Sequence, residues 1–128
     1  MKKLIVPLIA LVLIVACAKE KKIPEIIGNE YKTIERGTPI IIRFDAEGNR
    51  VSGKVVNNYF GTYEIDGGKI SFGPIASTLM MGPEESMKVE QGHLTFLSKV
   101  TTFEGDDETL ILKTQAGEKK IFKKTETK

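Results

Sequence analysis

Residues 53–81 of the chain, GKVVNNYFGTYEIDGGKISFGPIASTLMM, decide the fold. Within this segment, residues 61–65 alternate apolar and polar side chains, and residues 69–72 alternate again. Asp66-Gly67-Gly68 lies between the two runs and accepts the positive φ angles of a tight hairpin turn. The segment therefore predicts two antiparallel strands, each with one buried face and one face in solvent.

Further strands are predicted on both sides of this hairpin. Upstream, residues 39–44 are a β-branched run, residues 45–49 carry turn chemistry, and residues 50–59 resume an extended pattern with Val51, Val55 and Tyr59 on one parity. Downstream, residues 101–103, 109–113 and 119–122 are predicted strands, and residues 104–108 and 115–117 are predicted turns.

One helix is predicted between these strands. Pro83 suits a first helical position, and Glu84 and Glu85 suit the positive end of the helix dipole. A stripe at helical spacing follows, and it comprises Met87, Glu90, Leu94 and Leu97, with Val89, His93, Phe96 and Val100 beside it. We predict a helix over residues 83–98, in which Gly92 costs about 1 kcal/mol relative to alanine.

The pattern as a whole gives seven or eight short strands and one helix. Closing an antiparallel sheet removes its exposed edges, and a single helix can cover the open side. We therefore predict an α+β fold that is mainly antiparallel β, a small and partly open β-barrel with one packed helix. A flat sheet with the helix across one face is the alternative.

The segment that decides the fold also carries a family resemblance. Its pattern is a glycine, an asparagine near an aromatic residue, a glycine and a tyrosine, and then Phe-Gly-x-Ile-Ala-Ser-Thr-x-Met. The residues that carry it are Gly53, Asn57, Tyr59, Gly61, Tyr63, Phe72, Gly73, Thr78 and Met80. Together with its surroundings, roughly residues 26–123, it resembles the META domain of HslJ-like heat-shock lipoproteins. The resemblance implies a link to envelope stress tolerance, heat or drug resistance, without a defined biochemical activity.

The chain departs from the family pattern at three positions. Tyr31 stands where relatives often carry tryptophan, Val56 stands where they often carry cysteine, and Gly82 lies near the place of a second family cysteine. If those cysteines pair in relatives, this chain lacks the pair. Packing must then supply the roughly 2–4 kcal/mol that such a crosslink contributes.

The first residues form a lipoprotein signal pattern. Met1-Lys2-Lys3 is basic, and the 13 residues 4–16 carry no charged or polar side chain. A spanning helix needs roughly 20 apolar residues, so this run predicts a signal peptide rather than a permanent span. Ile14-Val15-Ala16-Cys17 resembles a bacterial lipobox, which implies cleavage before Cys17 and a lipid on its thiol. The alternative is a free cysteine after an ordinary secretory signal.

These segments predict the organisation and location of the chain. We expect a signal peptide at 1–16, a lipidated tether at 17–25, a META-like domain at 26–123 and a polar tail at 124–128. The lipid anchor predicts a membrane of the cell envelope. Ala18 after the cysteine resembles the class of lipoproteins on the outer membrane facing the periplasm, if the bacterium has two membranes. The oligomeric state stays open.

The charge balance limits the partners. The net charge of +2 comes from Lys2 and Lys3, because 17 basic and 17 acidic side chains remain from Cys17 onward. A nucleic-acid-binding face needs a clear basic excess, so we expect no nucleic acid as partner. The lysines of residues 119–128 are expected to be solvated, with anionic lipid or lipopolysaccharide phosphate as the alternative ligand.

The motif residues receive structural interpretations first. Asn57 is expected to cap backbone groups, Gly61 to allow a bulge or tight bend, and Tyr63 to pack with its hydroxyl in water, although together they could form a ligand site. Residues 73–78 lack the ending of a phosphate-binding loop. Met80, Met81 and Met87 cluster in the sequence. Core filling is the commoner role of methionine, and an adaptable partner surface is the alternative.

Residues for catalysis or metal binding do not stand out. His93, the single histidine, has neither a nucleophile elbow nor an orienting group near it, and we expect it on the helix surface. The acidic residues 104–108 lack the spacing of a calcium loop and predict a solvated turn. We therefore expect no enzyme activity, no metal and no cofactor.

Two functions remain from this sequence. The first is a non-catalytic binding or adaptor module that contacts another envelope protein through Met80, Met81 and Met87 or through a sheet edge. The second is a carrier that holds an acyl chain or another small hydrophobic ligand in the partly open barrel. A carrier predicts an internal cavity of a few hundred Å³.

Overall fold

Nine strands and one helix follow one another along residues 24–125, the part of the chain that this computed structural model describes. In chain order they are β1 (Glu30–Glu35), β2 (Thr38–Phe44), β3 (Arg50–Lys54), β4 (Asn58–Asp66), β5 (Lys69–Phe72), β6 (Ala76–Ser77), α1 (Glu84–Lys99), β7 (Val100–Gly105), β8 (Thr109–Thr114) and β9 (Lys119–Lys124).

Eight of these strands close a ring. Hydrogen-bonded neighbours follow the order β3–β2–β1–β9–β8–β7–β5–β4, and β4 pairs back with β3. The two-residue β6 pairs with β4 at Tyr59↔Ser77 and Phe60↔Ala76. The prediction of a small antiparallel barrel with a helix is confirmed. The flat-sheet alternative is wrong, because the pairing of β3 with β4 joins the two edges that a flat sheet would leave free.

The strand pairings around the ring are uneven. β1 and β2 pair along six residues each, whereas β1 and β9 pair at two positions. β5 and β7 share one register pair, Lys69↔Thr102, supported by a hydrogen bond from the Phe103 N–H to the Gly68 carbonyl at 3.0 Å. The ring is therefore closed, and its thinnest junction lies between β5 and β7.

Alternation along the strands fills the ring with apolar side chains. In β2, Ile40, Ile42 and Phe44 are buried, and the Phe44 ring meets the Tyr63 ring edge-on with centroids 5.1 Å apart. Among residues 24–125, the buried apolar residues are Ile26, Tyr31, Ile40, Ile42, Phe44, Val51, Tyr59, Tyr63, Ile70, Val89, Phe96, Leu97, Val100, Phe103, Leu110, Leu112 and Phe122. They form one core inside the ring.

One predicted strand corresponds to two strands in the structure. The pattern of residues 50–59 predicts a single extended run, but the structure divides it into β3 and the start of β4. The break lies at residues 55–57, where the Val55 N–H donates to the Asn57 carbonyl at 3.2 Å. The chain turns here because the Glu90 carboxylate binds two backbone N–H groups of this turn. That contact comes from a distant helix, so local alternation does not report it.

The helix α1 lies across one end of the ring, which we call the helix end. Its residues contact turns from three strand pairs. At the β1–β2 turn, Arg36 pairs with Glu85 at 3.1 Å. At the β3–β4 turn, Glu90 makes the contacts just named. Beside the β8–β9 turn, the Lys120 Nζ lies 4.7 Å from the centroid of the Phe96 ring. The predicted helix over residues 83–98 is confirmed within one residue at each end.

The opposite end of the ring is closed by the segment before β1. Ile26 is buried there, and the Gly28 N–H donates to the Phe44 carbonyl at 2.7 Å. The chain therefore enters the barrel at the end away from α1.

Candidate functional site

Glu90 is a buried carboxylate on the inner side of α1. Its Oε1 accepts hydrogen bonds from the backbone N–H groups of Val56 at 3.0 Å and Asn57 at 2.7 Å. Its Oε2 accepts one from the Asn57 Nδ2 at 2.9 Å. A buried charge is stable only when it is hydrogen-bonded, and each bond to a charged group contributes about 1.5–3 kcal/mol. Glu90 therefore fixes the β3–β4 turn to the helix.

Asn57 extends this network into the loop after β6. Its Oδ1 accepts from the Thr78 Oγ1 at 2.9 Å and from the backbone N–H of Met80. Its Nδ2 also donates to the Met80 carbonyl at 3.3 Å. Asn57 is buried, and its side chain thus takes the place of a strand partner for Met80. The helix, the turn and the loop are held together by two side chains, Glu90 and Asn57.

The loop fixed by Asn57 exposes three large apolar side chains, and we call Leu79, Met80 and Met81 the apolar loop. Leu79 is 95% exposed, Met81 is 91% exposed and Met80 is 50% exposed. The core-filling interpretation is therefore wrong for Met80 and Met81. Their backbone is held by the buried network while their side chains point outward. Met87 is half-buried on α1 and lies outside the core.

His93 is fully buried, so the prediction that it lies on the helix surface is wrong. The residue sits beside the apolar stripe of α1, and that side of the helix faces the barrel interior. Its ring packs edge-on against the rings of Tyr59 and Phe122. The Tyr59 Oη lies 2.9 Å from the His93 Nε2 and 2.7 Å from the carbonyl of Ile41.

These distances assign the protons of the buried pair. A carbonyl only accepts, so the Tyr59 hydroxyl donates to Ile41 and accepts from the Nε2–H of a neutral His93. The His93 Nδ1 then carries no proton, and it is a buried atom without a hydrogen-bond partner among the described residues. Burial, with the Lys120 charge second, lowers the pKa of His93 to about 3. Burial raises the pKa of Tyr59, so both side chains are neutral near pH 7.

Two motif glycines permit close approaches around this pair. A Cβ on Gly53 would overlap the Ile41 carbonyl and the Tyr59 hydroxyl, which are the two partners in the hydrogen bond described above. A Cβ on Gly61 would lie 2.7 Å from the Pro74 carbonyl, so this glycine lets the segment before β6 pack on β4. Gly53 therefore allows the Tyr59–His93 pair to form, and Gly61 allows the chain to return toward the apolar loop.

The remaining motif residues lie away from the helix end. Tyr63 packs in the core, as expected, and its hydroxyl donates to the Asp45 carbonyl at 3.4 Å. Phe72 is half-buried and packs on the core, and the Gly73 N–H donates to the Thr62 carbonyl at 2.9 Å. The structure thus brings together Gly53, Asn57, Tyr59, Thr78 and Met80, and separates Tyr63, Phe72 and Gly73 from them.

The acidic segment 104–108 spans the end of β7 and the β7–β8 turn. The Asp106 Oδ1 accepts from the backbone N–H groups of Glu108 and Thr109, both at 2.9 Å. Within residues 24–125, the structure contains no group of three or more His, Cys, Asp or Glu side chains placed to hold a metal ion. Over the same residues, no helix combines the length and apolar character needed to cross a membrane.

Several predictions concern residues outside the described range 24–125. The signal peptide, the lipidated Cys17 and most of the tether 17–25 precede it, and residues 126–128 of the polar tail follow it. They stay predictions from the sequence.

Sequence reasoning missed the two helix residues that organise the site. The sequence contains one signal of this site, because Glu90 is an acidic residue within an otherwise apolar stripe of the helix. Such a residue on a buried helix face must meet donors, and here the donors are the N–H groups of the β3–β4 turn. His93 lies next to it on the same face. Helical periodicity correctly places both residues on the helix, but it does not indicate which residues of the barrel they contact.

Comparison with known proteins gives one family and three similar folds. The sequence profile of the META domain family matches residues 22–127. No curated protein matches the chain.

The similar folds are solved structures with low sequence identity. An NMR structure of a protein from Burkholderia xenovorans is 18% identical, with 80% of this chain and 85% of that chain covered and a TM-score of 0.70. A second NMR structure is 18% identical, with 75% and 88% covered and a TM-score of 0.59. The crystal structure of a duf4847 family protein from Bacteroides vulgatus ATCC 8482 is 18% identical, with 70% and 61% covered and a TM-score of 0.53. At this identity, the likeness shows a shared fold.

Proposed function

This chain belongs to the META domain family, and on that premise we propose that it is a lipid-anchored protein of the bacterial cell envelope whose domain is a non-catalytic binding module. Its partner is another envelope protein, and its role is linked to envelope stress tolerance. The lipobox-like residues 14–17 support the anchor. Ala18 after the cysteine supports an outer membrane, facing the periplasm, in a bacterium with two membranes.

The observation that carries the binding role is the apolar loop. Leu79 and Met81 are almost fully exposed, whereas Ile34, the next most exposed large apolar residue of the described range, is 64% exposed. Single exposed apolar residues are common on protein surfaces, but three in sequence form a patch of the kind that marks interaction sites. Methionine side chains are also flexible and polarisable, which suits an adaptable contact.

The second support is that the apolar loop is pre-organised. Asn57 holds the backbone of Met80 through both its N–H and its carbonyl, and Glu90 holds Asn57. Binding therefore does not have to order the loop, which reduces the entropic cost of association. If Glu90 and Asn57 served only the fold, the loop that they hold would not need to expose leucine and methionine side chains.

A non-catalytic role is supported by the state of the ionisable groups at the site. The Nε2 of His93 is engaged by Tyr59 and the whole ring is shielded from solvent. The oxygens of Glu90 are occupied by three N–H groups. Groups that are neutral, buried or fully hydrogen-bonded to the protein are poorly placed to move a proton at a substrate.

The carrier alternative receives less support. The interior of the ring is occupied by the side chains of one contiguous core that includes the rings of Tyr31, Phe44, Tyr59 and Phe122. A cleft of about 630 Å³ lies outside the ring between α1 and the β8–β9 turn, and it includes four lysines among its walls. An acyl chain needs an apolar space, so the packed interior favours the binding module.

The experiment is site-specific photocrosslinking in the native envelope. A photoreactive side chain at position 79 or 81 should capture one discrete partner. The same group at Thr101, an exposed residue of β7 two strands from β4 around the ring, is the matched control and should not capture it. The double variant Leu79→Ser with Met81→Ser should lose co-purification of that partner while the melting temperature stays unchanged. Equal capture from positions 79 and 101 would contradict the proposal.

A further inference from the structure

The outer face of β2, β1, β9 and β8 carries a row of apolar side chains across four adjacent strands. The register pairs Ile34 with Pro39 on one side of the row and Ile121 with Ile111 on the other. Between them, β1 and β9 pair at Tyr31↔Lys124 and Lys32↔Lys123. The same register continued by two residues sets Ile34 beside Ile121.

An ion pair lies at the position that this register, continued toward the helix end, would give. Lys120 and Glu35, which the same register places opposite each other, form an ion pair at 3.1 Å. Ile34 is 64% exposed and Ile121 is 47% exposed, so the middle of the apolar row lies in solvent. We call the outer surface of β1 and β9 the β1–β9 face.

Two lysines of like charge stand directly opposite each other on this face. Lys32 and Lys123 are register partners, and both point outward because their neighbours Tyr31 and Phe122 point into the core. Like charges in this arrangement destabilise a sheet. Neither lysine forms an ion pair with another described residue. A bound anion between them would remove the repulsion.

The two lysines share a cleft with a third. This cleft, of about 490 Å³, is lined by Lys32, Thr33, Ile34, Lys123, Lys124 and Thr125. Three acidic side chains near the face are already paired: Glu30 with Arg43 at 3.2 Å, Glu35 with Lys120, and Glu104 with Lys113 at 3.1 Å. Glu108, whose carbonyl accepts from the Lys124 N–H at 2.8 Å, is exposed at the margin of the face and forms no ion pair with another described residue. The face therefore combines an exposed apolar row with cations that lack internal partners.

We propose that the β1–β9 face is a docking surface for an anionic lipid bilayer. Phosphate groups of the lipid would lie between Lys32 and Lys123, and the apolar row would enter the headgroup region, as apolar and cationic residues do at membrane surfaces. The position of the face agrees with this role. β9 is four strands from β4 in both directions around the ring, so the face lies opposite the strand that carries β6 and leads to the apolar loop.

The tether length adds an argument, and here the inference rests on the proposed lipid anchor at Cys17. Cys17 and Pro24 are seven residues apart in the sequence, so the chain between them spans at most about 25 Å. β1, with six residues, is about 20 Å long. An anchored barrel is therefore held within about its own height of the bilayer, where a face with affinity for lipid can reach it.

The first test uses the mature chain without a lipid, residues 18–128, which includes every residue of the core described above. Partition onto vesicles of phosphatidylglycerol mixed with phosphatidylcholine should exceed partition onto phosphatidylcholine alone, and salt should reduce it. Lys32→Gln with Lys123→Gln should weaken this partition roughly 30-fold, because each lysine near an anionic surface contributes about fivefold. Lys54→Gln with Lys69→Gln, exposed lysines on other strands, is the control of equal charge and should have a much smaller effect.

A second pair of variants tests the apolar row. Ile34→Ser with Ile121→Ser should weaken partition, whereas Leu79→Ser in the apolar loop should not. Equal losses in the face variants and their controls would mean that only net charge attracts the domain, and they would overturn the proposal. Capture of a protein rather than lipid by a photoreactive group at position 34 in the native envelope would overturn it as well.

The full acylated chain tests which face of the barrel lies against the bilayer. In vesicles of the same anionic composition, an amine-reactive reagent should label Lys54 and Lys69 but not Lys32 and Lys123. Because the first test does not involve Cys17, its failure leaves the anchor standing. Conversely, if the mass of the mature protein contains no acyl chains, the proposed lipid anchor is refuted. The vesicle experiment then still tests the β1–β9 face by itself.

Discussion

Replacing His93 with glutamine is expected to remove a large part of the acid sensitivity of this domain. The glutamine side-chain N–H₂ can still donate to the Tyr59 hydroxyl, as the His93 Nε2–H does at 2.9 Å. Glutamine does not titrate, so the substitution removes the proton equilibrium while it keeps the hydrogen bond. Protonation of His93 in the folded state would place a second N–H at Nδ1, where the described residues offer no acceptor.

The magnitude follows from the position of the ring. Burial, and then the positive charge of Lys120, lowers the pKa of His93 from 6.5 to about 3. Between these two values the unfolded chain binds a proton that the folded chain does not. The free energy of unfolding is therefore complete above pH 6.5 and falls by about 1.4 kcal/mol per pH unit as the pH decreases toward 3. Two units below the ordinary pKa, the loss is about 3 kcal/mol.

The assay is urea unfolding followed by circular dichroism, at constant ionic strength and a series of pH values from 7.5 to 4.5. The difference in unfolding free energy between the natural chain and the His93→Gln variant should be constant above pH 7 and should shrink by about 1.4 kcal/mol per unit below pH 6.5. The packing that glutamine loses against Phe122 is the same at every pH, so it cancels from this slope.

A matched control lies on the exposed side of α1. Gln91 is exposed on α1, and Gln91→His adds a solvated histidine whose titration should leave the slope unchanged. The natural chain has a single histidine, so its ring protons can be followed by NMR without assignment. A titration of that ring near pH 6.5 in the folded protein, or parallel stability curves for the natural chain and His93→Gln, would refute the reasoning.

Three further predictions concern stability and the anchor. Gly53→Ala should destabilise the domain by more than about 3 kcal/mol, because the new Cβ would overlap the Ile41 carbonyl. Gly92→Ala should stabilise the domain by about 1 kcal/mol, because a Cβ there meets open space within the helix. Thermal melts compare the two variants. Glu90→Gln keeps one oxygen for the two backbone N–H groups but sets its N–H₂ against the Asn57 Nδ2, where donor meets donor. It should cost about 2–4 kcal/mol in urea unfolding, with faster proteolysis in the apolar loop, while Glu84→Gln should be neutral. Cys17→Ser should abolish acylation, and an unchanged mass and membrane partition would contradict the lipobox interpretation.

The strands and the helix could be predicted because each has a local cause. β2 alternates buried and exposed residues, the β4–β5 turn contains Gly67 at a φ of 63°, and α1 begins after Pro83 with two acidic residues. These signals depend only on neighbours in the sequence. They gave the element types, the barrel and the helix that covers it.

The site was less predictable because its causes are tertiary. The β3–β4 turn exists where Glu90, more than 30 residues later, supplies acceptors to its backbone. The exposure of Leu79 and Met81 depends on Asn57, which holds the backbone of Met80 between them. His93 and Tyr59 meet only after the helix has closed the ring. Apolar and ionisable residues do not reveal from sequence alone which of them will be covered by such contacts.

The pairing of β1 with β9 also sets the order in which this barrel can be completed. Lys32 and Lys123 are about ninety residues apart in the chain, so the final closure depends on a contact of very long sequence separation. Folds dominated by such contacts form slowly, because loop-closure entropy is lost before the contact is gained. Until β9 arrives, β1 and β8 are free edges that can pair with other chains. A copy that stopped short of β9, through a premature stop or proteolytic clipping, would keep both edges open and is expected to aggregate rather than persist as a shorter barrel.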